Sequence, residues 1–112
     1  MTTAWTTPVA PDRYQDATID GAYCSAGTNA IDAPEERVPW SCLLSGLSHE
    51  EARQVGGVLP RHLARVERPD GSETMAVEVR GVERTAAMAR EMAEVCAGVM
   101  ARRVECYRRA VA

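Results

Sequence analysis

The chain has no phenylalanine and no lysine, and its aromatic content is only 4%. Without Phe the core must come from Val, Leu, Met and Ala, which carry little bulk per side chain. Such a core is expected to be thin or shared with a second chain. Without Lys, all thirteen basic residues are Arg. Together with abundant Ala and Gly, this reads as the codon bias of a GC-rich genome. No long apolar run follows a basic start and none reaches transmembrane length, so neither a signal peptide nor a membrane contact is expected. A cytoplasmic, reducing setting is the expectation that follows. Cys24, Cys42, Cys96 and Cys106 then read as free thiols buried in a core rather than as disulfides.

The motifs of common chemistry are missing too. The stretch "GGVLPRH" has neither the glycine spacing nor the lysine of a phosphate-binding loop, and no dinucleotide fingerprint follows a strand-like run. Cys24, Cys42, His49 and His62 are the candidate metal ligands, but structural zinc sites supply ligands in close pairs and none occurs here. No metal or cofactor is therefore expected. Cys42 precedes His49 across a helix start, a pairing that would suit a thiol nucleophile. Its context "WSCLL" suits core packing better. The adjacent acids Glu35-Glu36 and Glu50-Glu51 read as solvated loop and helix-dipole complement rather than acid/base pairs. No catalytic residue is assigned, and a thiol- or metal-dependent small enzyme is only the third reading.

What is present defines a single small domain of 112 residues with a formal charge of −3, long enough to fold without staples. The charge is uneven. Residues 1–58 carry eight acids and three Arg, whereas 59–112 carry eight acids and ten Arg. A cationic tip on an acidic body follows.

Residues 1–16, rich in Thr and Pro, read as an irregular arm, and 17–112 as the folded domain. Asp20-Gly21 between β-prone runs predicts a hairpin with strands at about 15–19 and 22–26, because both central residues of a type I′ turn need positive φ. Residues 27–37 read as a loop. The compact apolar run 38–46 predicts a strand. Ser48 with Glu51 three residues on is a capping box, which opens a short helix that Gly56-Gly57 ends. "PDG" at 69–71 predicts a second hairpin. The expected register pairs Arg68 with Gly71, which sets Ala64 and Val66 on one face with Met75, Val77 and Val79. A bulged alternative would set Val66 against Thr74.

A long helix is predicted over about 83–110. Met88, Met92, Val95 and Val99 follow a 4-3-4 spacing and read as its core stripe. Ala89, Ala93, Ala97 and Ala101 form a neighbouring row of small residues that permits close backbone approach. A second apolar row runs through Cys96, Met100, Val104, Tyr107 and Val111. At 1.5 Å per residue this helix is roughly 42 Å long, whereas a compact chain of this length is about 34 Å across. Its end is therefore expected to overhang.

The fold class read from this order is α+β: a small antiparallel sheet in β-α-β-β-α order, with an extra N-terminal hairpin, covered by a short helix and a long C-terminal helix. In element order alone it resembles a ferredoxin-like arrangement lacking its final strand. The function expected is a small non-enzymatic interaction module: an accessory subunit, an inhibitor, or an effector of phage or mobile-element type. It would form a homodimer or dock on another protein through the C-terminal helix. Val99, Val104 and Tyr107 would be its apolar anchors, and Arg102, Arg103 and Arg108 its polar rim. The alternative is a nucleic-acid-binding regulator that uses Arg61, Arg65, Arg68, Arg80 and Arg84 around the hairpin together with the helix-end arginines. The interleaved Glu67, Glu73, Glu78 and Glu83 oppose that reading, since carboxylates repel phosphates.

Overall fold

The computed structural model describes residues 14–27, 37–55, 62–67 and 70–112, with the backbone alone for 62–67. The elements are β1 Tyr14–Ile19, β2 Ala22–Gly27, β3 Val38–Leu47, α1 His49–Val55, β4 His62–Glu67, β5 Glu73–Glu83 and α2 Ala86–Val111. The strands form one antiparallel five-stranded sheet in the order β1-β2-β3-β5-β4. The fold is α+β, as the order of elements predicts. In the run from β3 onward, β5 lies between β3 and β4, the split β-α-β pattern, and β2 takes the place beside β3. The expected arm ends three residues early, because Tyr14, Gln15 and Asp16 already pair in β1. Residues 1–13 lie outside the described residues, as does the expected loop at 27–37 apart from Gly27, which ends β2, and Arg37.

Local chemistry sets the element ends. The β1–β2 turn is Asp20-Gly21 with φ of 50° and 85°, the left-handed pair that a two-residue hairpin requires. The capping box at α1 is complete. Ser48 N donates to Glu51 Oε1 at 2.9 Å, and Glu51 N donates to Ser48 Oγ at 3.2 Å. The long helix begins later than expected, because β5 continues to Glu83 and Thr85 caps α2. The Thr85 hydroxyl accepts from Met88 N at 3.2 Å. Gly98 sits buried inside the helix, which runs unbroken for 26 residues, about 39 Å.

The second hairpin adopts the register that was not expected. Val66 pairs with Thr74, Arg65 with Met75 and Leu63 with Val77. The cause lies in the turn. The Asp70 carboxylate accepts from both Ser72 N (2.9 Å) and Ser72 Oγ (2.6 Å), which holds Ser72 in the turn and leaves Glu67–Glu73 as the last pair. β5 still turns Met75, Val77 and Val79 into the core. In β3, a bulge between Leu44 and Leu47 allows both leucines to be buried despite their odd spacing.

The core lies between one sheet face and the two helices. Ala17, Cys24, Cys42 and Val79 make one cross-strand row, and α2 lies over β2 and β3. Ala52 and Val55 carry α1 onto the same layer. Among the described residues no helix is long and apolar enough to cross a membrane.

Candidate interaction surface

α2 turns inward the expected row of small residues and part of the second apolar row, not the expected core stripe. Ala89, Ala93, Cys96, Ala97, Met100 and Val104 are buried, while Met88, Met92 and Val95 are 44%, 40% and 53% exposed. The expected core stripe is therefore the outer stripe, with Val99 half-buried beside it. The reason is size. Facing α2 on β2 are Ala22, Cys24 and Ala26, small groups that bring the sheet backbone close. The Cys24 Sγ lies 3.7 Å from the carbonyl oxygen of Ala93. The alanine row sits in that gap, Met100 and Val104 fill the core further along the helix, and Met88, Met92 and Val95 are left on the outer side.

The C-terminal half of α2 is held by α1. Arg103 Nε donates to the Gln54 carbonyl at 3.1 Å, and Arg108 forms an ion pair with Glu51. The overhang is thus smaller than expected. Val104, offered as an interface anchor, is 4% exposed and belongs to the core, because α2 meets α1 as well as the sheet. Tyr107 is half-buried, Arg102 is exposed, and Val111 stands free at the tip. Between α1 and α2 lies an open groove of about 600 Å³, lined by Gln54, Val99, Arg103, Cys106 and Tyr107 among others.

Glu51 serves two partners. Its bond to Arg108, and then the backbone N–H of Ser48, hold its carboxyl below the ordinary value of 4.5. A carboxyl depressed in the folded state stabilises the fold fully above 4.5, and that contribution is lost as pH falls through the lower folded value. Urea midpoints measured from pH 6 down to pH 3 are expected to fall in this window. Arg108→Gln is expected to flatten the drop, and an unchanged pH profile in that variant would show the pair to be idle.

Cys24, Cys42 and Cys96 are buried as expected, whereas Cys106, also expected in the core, is exposed. Cys24 and Cys42 face each other across β2 and β3 with sulfurs 3.3 Å apart. Hydrogen bonding with Cys24 and Cys96, followed by burial, pushes the Cys42 thiol far above its ordinary value. A protonated buried thiol is a weak nucleophile. His49 is exposed at the first position of α1, and no hydrogen bond joins it to Cys42 among the described residues. No group of three or more His, Cys, Asp or Glu is arranged to hold a metal among the described residues.

Among the described residues no element covers the opposite sheet face, which carries Asp16, Tyr23, Ser25, Ser41, Glu78 and Arg80 in alternation with the core residues. Tyr14, Tyr23 and Val82 are exposed there, but polar groups separate them. The Tyr23 hydroxyl bonds to Asp16, which raises its titration above the ordinary value. Of the hairpin arginines, Arg80 is paired with Glu78 at 2.6 Å and Arg84 is exposed. Arg65 stands opposite Met75 in the β4–β5 ladder, and Arg61 and Arg68 lie outside the described residues.

Sequence reasoning misplaced Met88, Met92 and Val95, expected in the core and found exposed, and Val104, expected at an interface and found in the core. The signal for the first three was present in the alanine row beside them, which marks the tighter side of the helix. Comparison of the chain with protein families, with curated proteins and with solved structures finds no match.

Proposed function

We propose that the protein is a small non-enzymatic interaction module that docks through the outward face of α2. One observation carries this reading. Met88, Met92, Val95 and Val99 form a continuous apolar stripe along a helix whose opposite side already fills the core. Single exposed apolar residues are ordinary, but a contiguous row marks a contact site. Covering a half-exposed Met or Val recovers on the order of 1 kcal/mol each, so the stripe offers a few kcal/mol from each side against the cost of association. Val104 drops out of the anchor set and Arg103 and Arg108 out of the rim, while Val99, Tyr107 and the rim residue Arg102 remain, joined by the two methionines and Val95.

A photo-crosslinking amino acid at Val95 tests the reading in the source cell. Irradiation is expected to give a covalent adduct with a protein, with a control at Thr18 on β1 giving much less. An adduct-free Val95 position would remove the proposal.

A further inference from the structure

Resting on that docking reading, we infer that the occupant of the stripe is a second copy of this chain, packed with its α2 antiparallel to the first. The stripe continues past Val99. Met88, Met92, Val95, Val99, Arg102 and Cys106 repeat at alternating steps of four and three, the period at which two helices interlock side by side. All six are exposed or half-buried.

Charge selects the direction. Glu91 lies beside the stripe in the N-terminal half of α2 and Arg102 in its C-terminal half, and both are exposed. Among the described residues neither takes part in an ion pair. A parallel pair of helices would bring Glu91 next to Glu91 and Arg102 next to Arg102. An antiparallel pair centred between Val95 and Val99 sets Val95 against Val99, Met92 against Arg102 and Met88 against Cys106. Each Glu91 then lies beside the Arg102 of the other copy, twice by symmetry.

Shape agrees with charge. The groove beside Val99, Cys106 and Tyr107 lies at the positions where Met88 and Met92 of the second copy would arrive. Flexible thioether chains suit an irregular apolar groove of this kind. The arrangement is self-complementary, with knobs at one end of the helix and the groove at the other. Its size predicts a modest affinity. A helix of ~39 Å offering a strip ~10 Å wide buries about 400 Å² per copy, about half of the ~800 Å² typical of a stable partner. A dissociation constant on the order of 10 µM is expected.

Sedimentation equilibrium on the full chain tests this. Wild type is expected to pass from monomer to dimer across that concentration. Glu91→Arg alone and Arg102→Glu alone each place like charges together and are expected to weaken the dimer at least tenfold. An equimolar mixture of the two variants, or the double variant, is expected to regain it. Since both positions are exposed, circular dichroism should show each variant folded. Orientation is read by mild oxidation. An antiparallel pair keeps the two Cys106 thiols about 27 Å apart, so wild type should not form a Cys106–Cys106 cross-link. Met88→Cys should yield a cross-link between the introduced thiol and Cys106 of the other copy. A wild type that stays monomeric at about 200 µM overturns the inference. So does a Cys106–Cys106 dimer, or a set of single variants as dimeric as wild type. If a monomeric wild type still gives a Val95 adduct with another protein, the docking reading stands and only the second copy is excluded.

Discussion

Ala93→Leu is expected to lower the unfolding free energy by about 3 kcal/mol, the upper end of the usual range for overpacking. Met92→Ala, one residue away, should change it by no more than about 0.5 kcal/mol. The contrast follows from the face that α2 presents to the sheet. Ala93 is fully buried, and its carbonyl lies 3.7 Å from the Cys24 sulfur. A leucine there has no space to enter without lifting the helix from β2 and β3. Met92 points outward, and alanine is the better helix former, which offsets the little packing that is lost. Urea denaturation of the two variants decides the matter. For a chain of this size the Ala93→Leu midpoint should drop by roughly 2 M. If Met92→Ala proved the more damaging, α2 would have to face the other way, and the docking surface would vanish with it.

A comparable loss is expected at the other end of the sheet. Gly81 pairs with Trp40 across β3 and β5, and the indole lies flat on the glycine. A Cβ built at Gly81 would stand 2.4 Å from Nε1, 2.5 Å from Cε2 and 2.6 Å from Cζ2 of Trp40. These are separations that real atoms do not adopt. Strand propensity taken alone favours valine over glycine by up to about 1 kcal/mol, so propensity and packing predict opposite signs. Packing is expected to win. Gly81→Val should cost about 3 kcal/mol, because the ring must swing away and break its hydrogen bond to Glu83, Nε1 to Oε2 at 3.2 Å. Trp40→Leu vacates the space, so Gly81→Val should be far less harmful in that background. A double-mutant cycle measures the coupling, and additive losses would mean that the two residues do not compete for the same volume.

Much of the fold was legible because short-range chemistry specified it. Asp20-Gly21 could hardly be anything but a hairpin turn, and the reciprocal bonds of Ser48 and Glu51 follow from their spacing alone. The order of elements followed from such signals. Two features were not legible. The β4–β5 register depends on an Asp70–Ser72 interaction that competes with the tighter turn suggested by "PDG". The orientation of α2 depends on the depth of the gap above β2, a tertiary quantity. Periodicity locates two apolar faces on α2 and cannot rank them, and the larger side chains give the stronger hydrophobic signal. Of the three apolar anchors expected on α2, Val104 belongs to the core, whereas Val99 and Tyr107 are half-buried. Arg103 and Arg108 were read as a free rim, yet they tie α2 to Gln54 and Glu51, partners remote in sequence.

The narrow seat under α2 has a wider implication for how such a helix finds its orientation. When a sheet admits a helix through bore as well as greasiness, the outer flank is released from any duty to stay polar. Near Ala93 the close approach of Cys24 shuts bulky groups out, whereas further along the core takes in Met100 and Val104, so local clearance as well as hydrophobicity decides which side chains the helix turns inward.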